Sequence, residues 1–118
     1  MKIQLYLILC VTVLSFSSIA RAEDGSSEVL DAEMTLDYYT ELAQQGSAYA
    51  QLALGEIYSE GQGVEKNLLQ AYAWFYVAAM QGVTEAEIEL KKVFGMIDKK
   101  QQAEAETLAS NYLASFVP

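Results

Sequence analysis

The sequence predicts an all-α fold: a short α-solenoid of antiparallel helix pairs closed by a C-terminal capping helix. Three observations carry this expectation. Apolar residues from Val29 to Val117 recur with helical spacing, and no strand-like alternation interrupts them. The one proline is the last residue, so nothing in the body of the chain forbids helix. Finally, a pattern of aromatic, small and glycine positions returns after 36 residues. Such recurrence marks units that bury their faces only against their neighbours.

Residues 1–22 read as a secretory signal peptide. Lys2 is followed by an apolar run from Ile3 to Phe16, and Ala20-Arg21-Ala22 supplies a small-x-small cleavage pattern. The run falls short of the about 20 apolar residues that a bilayer span needs. Retention as an uncleaved N-terminal anchor is the competing reading. Residues 23–30 read as a flexible leader, polar and turn-rich from Glu23 to Glu28. Cleavage between Ala22 and Glu23 removes Cys10, the single cysteine, so stability must come from helix packing. A domain of the remaining size has room for one modest core.

Five helices are expected in residues 31–118. The first spans about 31–44 and ends at Gly46; the second, about 48–59, stops at Gly61-Gln62-Gly63. Glycine takes the left-handed conformation of a helix stop at little steric cost. Asn67 caps the third helix, which runs to Met80 and is closed by Gly82. Thr84 is expected to cap the fourth, ending near Gly95. Asp98 opens the last, about 98–116, with Gln101 as its capping-box partner. The third helix is apolar almost all round (Leu68, Ala71, Tyr72, Trp74, Phe75, Val77, Ala78 and Met80), so other helices must enclose it. The fifth carries one apolar face (Ala105, Leu108, Ala109, Tyr112, Leu113 and Phe116) opposite Glu104, Glu106, Ser110 and Asn111, as befits a cap.

The 36-residue offset lays Tyr38-Tyr39 on Trp74-Phe75, Gln45-Gly46 on Gln81-Gly82, and Ala50 and Leu54 on Ala86 and Leu90. Leu54-Gly55, Tyr58, Gly61-x-Gly63-Val64, Gln70-Ala71, Trp74, Ala78-Ala79 and Gly82 together resemble the Sel1-like repeat family, relatives of the tetratricopeptide repeats. The resemblance implies a right-handed solenoid with one complete repeat over about 50–85 and partial repeats on each side. Asn67 stands where the family has aspartate. Lys91 replaces the helix-packing glycine, and Ile97 to Lys100 replace the glycine turn, an erosion suited to the end of a solenoid.

Composition narrows the function. The chain has 7 basic and 16 acidic residues, a net charge of −9. Setting aside Lys2 and Arg21 with the signal leaves five basic against 16 acidic residues, a difference of −11. Such a surface repels phosphate backbones and offers no basic stripe, which excludes nucleic acid and suits a basic protein partner or simple solubility. Histidine is absent, removing the commonest general base and metal ligand. Without a cysteine in the mature chain there is no thiol nucleophile or zinc-thiolate site. Gly61-x-Gly63 lacks the G-K-[ST] ending of a phosphate loop and reads as a helix-to-helix turn. Glu85, Glu87 and Glu89 splay around one helix start, while Glu56 and Glu60 share a face as solvated like charges. No catalytic residue, cofactor or metal is assigned.

The Sel1-like resemblance implies a non-catalytic protein–protein interaction module in which the first helix of each unit lines a concave face. Here those are the second and fourth helices. With Ala50, Leu54, Ile57 and Tyr58 turned to the core, Tyr49, Leu52 and Glu56 are expected on the groove, and Glu85, Ile88 and Lys92 are their equivalents. Exposed Leu52 and Ile88 would suit a bound peptide or helix, although both could instead cover the capping helix. Tyr58, Trp74 and Phe94 are expected in the repeat core, leaving Tyr49, Tyr72 and Tyr76 freer to anchor an interface. The expected protein is an exported scaffold or adaptor of the bacterial envelope, periplasmic or secreted, and a monomer or weak homo-oligomer. The alternative is a periplasmic inhibitor or immunity protein sequestering a toxin or lytic enzyme; a cell-wall-acting enzyme is a third reading.

Overall fold

The computed structural model describes residues 34–116, all within one unit, Glu33–Pro118. The expected signal peptide, the leader and the start of the first helix fall at 1–33, outside the described residues. Among the described residues all regular structure is helical: α1 (34–44), α2 (Ala48–Glu60), α3 (Leu68–Met80), α4 (Thr84–Met96) and α5 (Lys99–Phe116).

Short polar side chains start three of these helices by satisfying orphan backbone N–H groups. Ser47 Oγ accepts from the Ala50 amide at 3.4 Å, and Asn67 Oδ1 accepts from the Gln70 amide at 3.1 Å. Asp98 and Gln101 close the expected capping box. The Gln101 amide donates to Asp98 Oδ1 at 2.8 Å, and the Asp98 amide donates to Gln101 Oε1 at 3.1 Å. α4 departs from expectation: its N-cap is Val83, without a side-chain hydrogen bond, and Thr84 is the first helical residue. Glu85 and Glu87 in its first turn face the positive end of the helix dipole instead. Gly46, Gly61 and Gly82 sit at the helix stops with φ of 95°, 74° and 94°, and the Gly61 amide closes α2 by donating to Ile57 O at 2.9 Å.

α3 is the centre of the fold, packed against α2, α4 and α5. Its two flanks feed two clusters. Trp74 joins Ala43, Ala50, Leu54 and Ile57, with Tyr112 and Phe116 of α5 packed against them. Tyr72, Phe75 and Ala78 join Leu52, Ala86, Val93, Ile97, Ala105 and Ala109. Met80 alone of the apolar residues expected to enclose α3 is exposed.

The α2–α3 pair is close because Gly55 has no side chain. A Cβ built there would lie 2.4 Å from two Phe75 ring carbons. The position 36 residues on is Lys91, and there the pairing is not repeated: α4 and α5 make only marginal contact. α5 crosses to α3, where Ala105 and Ala109 are buried and the Tyr112 ring meets Trp74 edge-on at 4.9 Å between centroids. The Tyr112 hydroxyl donates to Gln70 Oε1 of α3.

Two glycines on helices should therefore respond oppositely to the same change. Gly55→Ala is expected to lower stability by about 1–3 kcal/mol through overpacking against Phe75. Gly95→Ala, with open space at its Cβ, should raise it by about 0.5–1 kcal/mol through helix propensity. Urea unfolding followed by far-UV circular dichroism checks both signs.

Candidate functional site

The face to which the sequence points is formed by α2 and α4. Successive helical residues are rotated by about 100°, so a residue and its fourth neighbour lie about 40° apart. On α2, Tyr49, Glu56 and Glu60 fall within one such arc. Tyr49 is 79% exposed, Glu60 is exposed and Glu56 is partly covered. Leu52 lies about 40° from Glu56, on the flank of that arc, and is only 8% exposed. It belongs to the buried cluster that includes Ala78 and Ala86, not to the groove. α2 is packed on two sides, since Ala50, Leu54 and Ile57 serve the other cluster, and only a narrow strip of it is left to solvent.

On α4, Glu85, Ile88 and Lys92 are all exposed. Ile88, 61% exposed, is the counterpart of Leu52 and is rotated about 60° from Glu85, toward the free flank of α4. Lys92 is engaged: its Nζ lies 3.4 Å from Glu89 Oε2. Lys91 likewise pairs with Glu87 at 3.0 Å. Of the freer tyrosines, only Tyr49 is exposed; Tyr72 is buried and Tyr76 half-buried, their rings stacked on one another at 6.2 Å.

The electrostatics bring Glu56 and Glu85 together. The Glu56 carboxyl is pushed above the ordinary carboxylate range, first by partial loss of solvent and then by the charges of Glu85, Glu60 and Glu89. Glu60 and Glu89 are members of this acidic face that the groove assignment missed. Their signal was present as i, i+4 spacing from Glu56 and Glu85. Among the described residues no group of three or more His, Cys, Asp or Glu could hold a metal ion. No described helix is long and apolar enough to cross a membrane. A separate depression of ≈ 550 Å³, lined by Gln44, Val77, Met80, Leu113 and Phe116 among others, contains none of these candidate residues.

The pattern of the Sel1 repeat family matches residues 48–83. The chain carries a Sel1 repeat. That repeat comprises α2, the glycine turn and α3, with Gly55 and Phe75 at its closest approach. Among solved structures the fold is similar to that of a protective antigen present in uropathogenic Escherichia coli strains, described as displaying an SLR fold. The likeness has a TM-score of 0.67 and 32% sequence identity over 70% of this chain. It spans 18% of the length of that protein. No protein of curated function matches the chain. A Sel1 repeat of this form suggests a scaffold for protein–protein interaction.

Burial separates the two former groove neighbours experimentally. Leu52→Ala should cost about 2–4 kcal/mol by opening a cavity, a fall in Tm of about 10 °C or more for a domain of this size. Tyr49→Ala should leave Tm within about 4 °C, because surface changes stay within about 0.5 kcal/mol.

The raised Glu56 pKa predicts a pH dependence of definite sign. The folded protein holds that proton more tightly than the unfolded chain. The corresponding stability is present in acid and is lost as pH rises from the ordinary carboxylate pKa through the raised one. Glu56→Gln should therefore raise Tm at pH 7 by about 1–4 °C, on the scale of surface like-charge pairs. The advantage should vanish below about pH 4, where both states are protonated. Thermal melts of the two proteins at pH 3.5 and 7 test this.

Proposed function

We propose that this protein is an exported, non-catalytic interaction module of the bacterial envelope, and that its α2–α4 face holds a basic segment of another protein. One observation carries the second half of the reading: Glu56, partly covered, feels the charges of Glu85, Glu60 and Glu89 on the same strip of α2 as the exposed Tyr49. A lysine or arginine from a partner would relieve the repulsion there, while Tyr49 offers a large aromatic surface at small entropic cost. The Sel1 repeat supports the interaction role. The signal-like segment at residues 1–22 supports export.

Two measurements test this. Protein recovered from the periplasmic fraction should have the mass of residues 23–118; recovery only as the full-length chain in the cytoplasm would sink the export reading. Tagged protein should capture a basic partner from envelope extract, less efficiently as salt rises. The variant Tyr49→Ala, Glu56→Gln, Glu85→Gln should weaken that capture at least about tenfold with no loss of thermal stability, on the scale of hot-spot truncations. Undiminished capture by the triple variant would overturn the assignment of the face.

A further inference from the structure

We infer that the free flank of α4 is a self-complementary edge that pairs two copies of this chain about a two-fold axis, α4 antiparallel to α4. The inference starts from the repeat itself. Leu52 on the matching flank of α2 is buried in one cluster with Ala86 and Val93 of α4. Its counterpart Ile88 stays 61% exposed. Around it, Glu87, Lys91 and Gly95 are exposed too. α5, which would lie along this flank if it paired with α4 as α3 pairs with α2, has moved onto α3. The pair that brings α2 and α3 together, Gly55 and Phe75, is replaced at the matching positions by Lys91 and Asn111.

Charge selects the occupant. The first half of α4 carries Glu85, Glu87 and Glu89; the second half carries Lys91 and Lys92. A parallel copy would set like charges side by side. An antiparallel copy with its axis near residue 89 sets Ile88 against Ile88 of the second copy. It also places Glu87 of each copy against Lys91 of the other. The two ion pairs within helices, Glu87 with Lys91 at 3.0 Å in each copy, are thereby exchanged for two between helices. An isologous contact of this kind closes at the dimer and does not propagate. The helix edge is about 20 Å long, so the buried area falls at the low end for specific complexes and the dimer is a weak one. The edge is rotated away from Glu85, and Tyr49 and Glu56 are on α2, so pairing leaves the proposed partner-binding face open and does not depend on it.

The test is sedimentation velocity of the purified protein between about 10 μM and 1 mM, the range expected for a small interface. The wild-type chain should shift from monomer to dimer, with the shift suppressed by high salt. Ile88→Arg should weaken association at least about tenfold. Glu87→Lys and Lys91→Glu should each be monomeric alone, and an equimolar mixture of the two should recover the dimer, because each then meets its opposite charge. Circular dichroism confirms that each variant keeps its helix content, as exposed positions should. A wild-type protein that stays monomeric to about 1 mM overturns the inference. So does a dimer indifferent to Ile88→Arg, or a mixture of charge variants that fails to associate.

Discussion

The structure depends on one close approach. Phe75 of α3 occupies the space that a side chain at Gly55 of α2 would need, and this brings the two helices of the Sel1 repeat into close packing. Everything that must be satisfied inside follows from that proximity. Gln51, fully buried on α2, cannot reach water and is held from both sides. Its Nε2 donates to Ala43 O at the end of α1 at 3.1 Å, and its Oε1 accepts from Gln81 Nε2 at the end of α3. A buried amide with every group paired rigidifies its surroundings, whereas the same amide half-paired would be a liability. Among the described residues no buried side-chain nitrogen or oxygen lacks a partner, so the three helix ends are tied together at no polar cost.

Loss of the same constraint 36 residues later shapes the other half of the domain. Lys91 stands at the position that matches Gly55, and the position that matches Phe75 is Asn111, which is exposed. α5 therefore gains its burial from α3, through Ala105, Ala109 and the Tyr112–Trp74 edge contact. This covers the apolar circumference of α3, but it leaves exposed a flank of α4 whose counterpart on α2 is buried. α5 thereby shields the core of the repeat over 48–83 while α4 keeps one flank open. The exposed Ile88 is the visible consequence, set in a helix whose charges divide between its two halves.

These relations were legible in the sequence to different depths. The glycine stops, the Asn67 cap and the Asp98–Gln101 box could be read directly, because each is decided by backbone groups within three or four residues. The enclosure of α3 was legible from its apolar circumference, and the face of α5 from its period. Leu52 was not, because one helix's periodicity does not say how many neighbours flank it. α2 lies between two clusters, and its solvent strip is narrower than a helix with one buried face would show. Thr84 misled for a smaller reason: a good capping residue one position from the boundary looks identical in sequence, and the actual N-cap, Val83, makes no side-chain bond at all. The grouping of Glu56 with Glu85 and Glu89 crosses from α2 to α4, so it required the packing angle of the two helices before it could be seen.

That grouping is the part of the surface that folding does not explain. A domain rich in acidic residues needs its charges in solvent, where mutual repulsion is screened and small. Glu85 and Glu60 are placed that way, and Glu89 has Lys92 beside it. Glu56 is not. It is partly stripped of water, it faces three like charges, and among the described residues no cation or hydrogen-bond donor meets its carboxylate. A glutamine would keep the same shape and stem packing without the charge, so the fold would be indifferent to it or better for it. The acidic strip of α2 is thus an electrostatic feature that the packing of the helix neither creates nor requires. The Gly55–Phe75 contact fixes α2 independently of the charges along its exposed strip. The rigid helix pair can therefore hold an unfavourable face in place without losing its core.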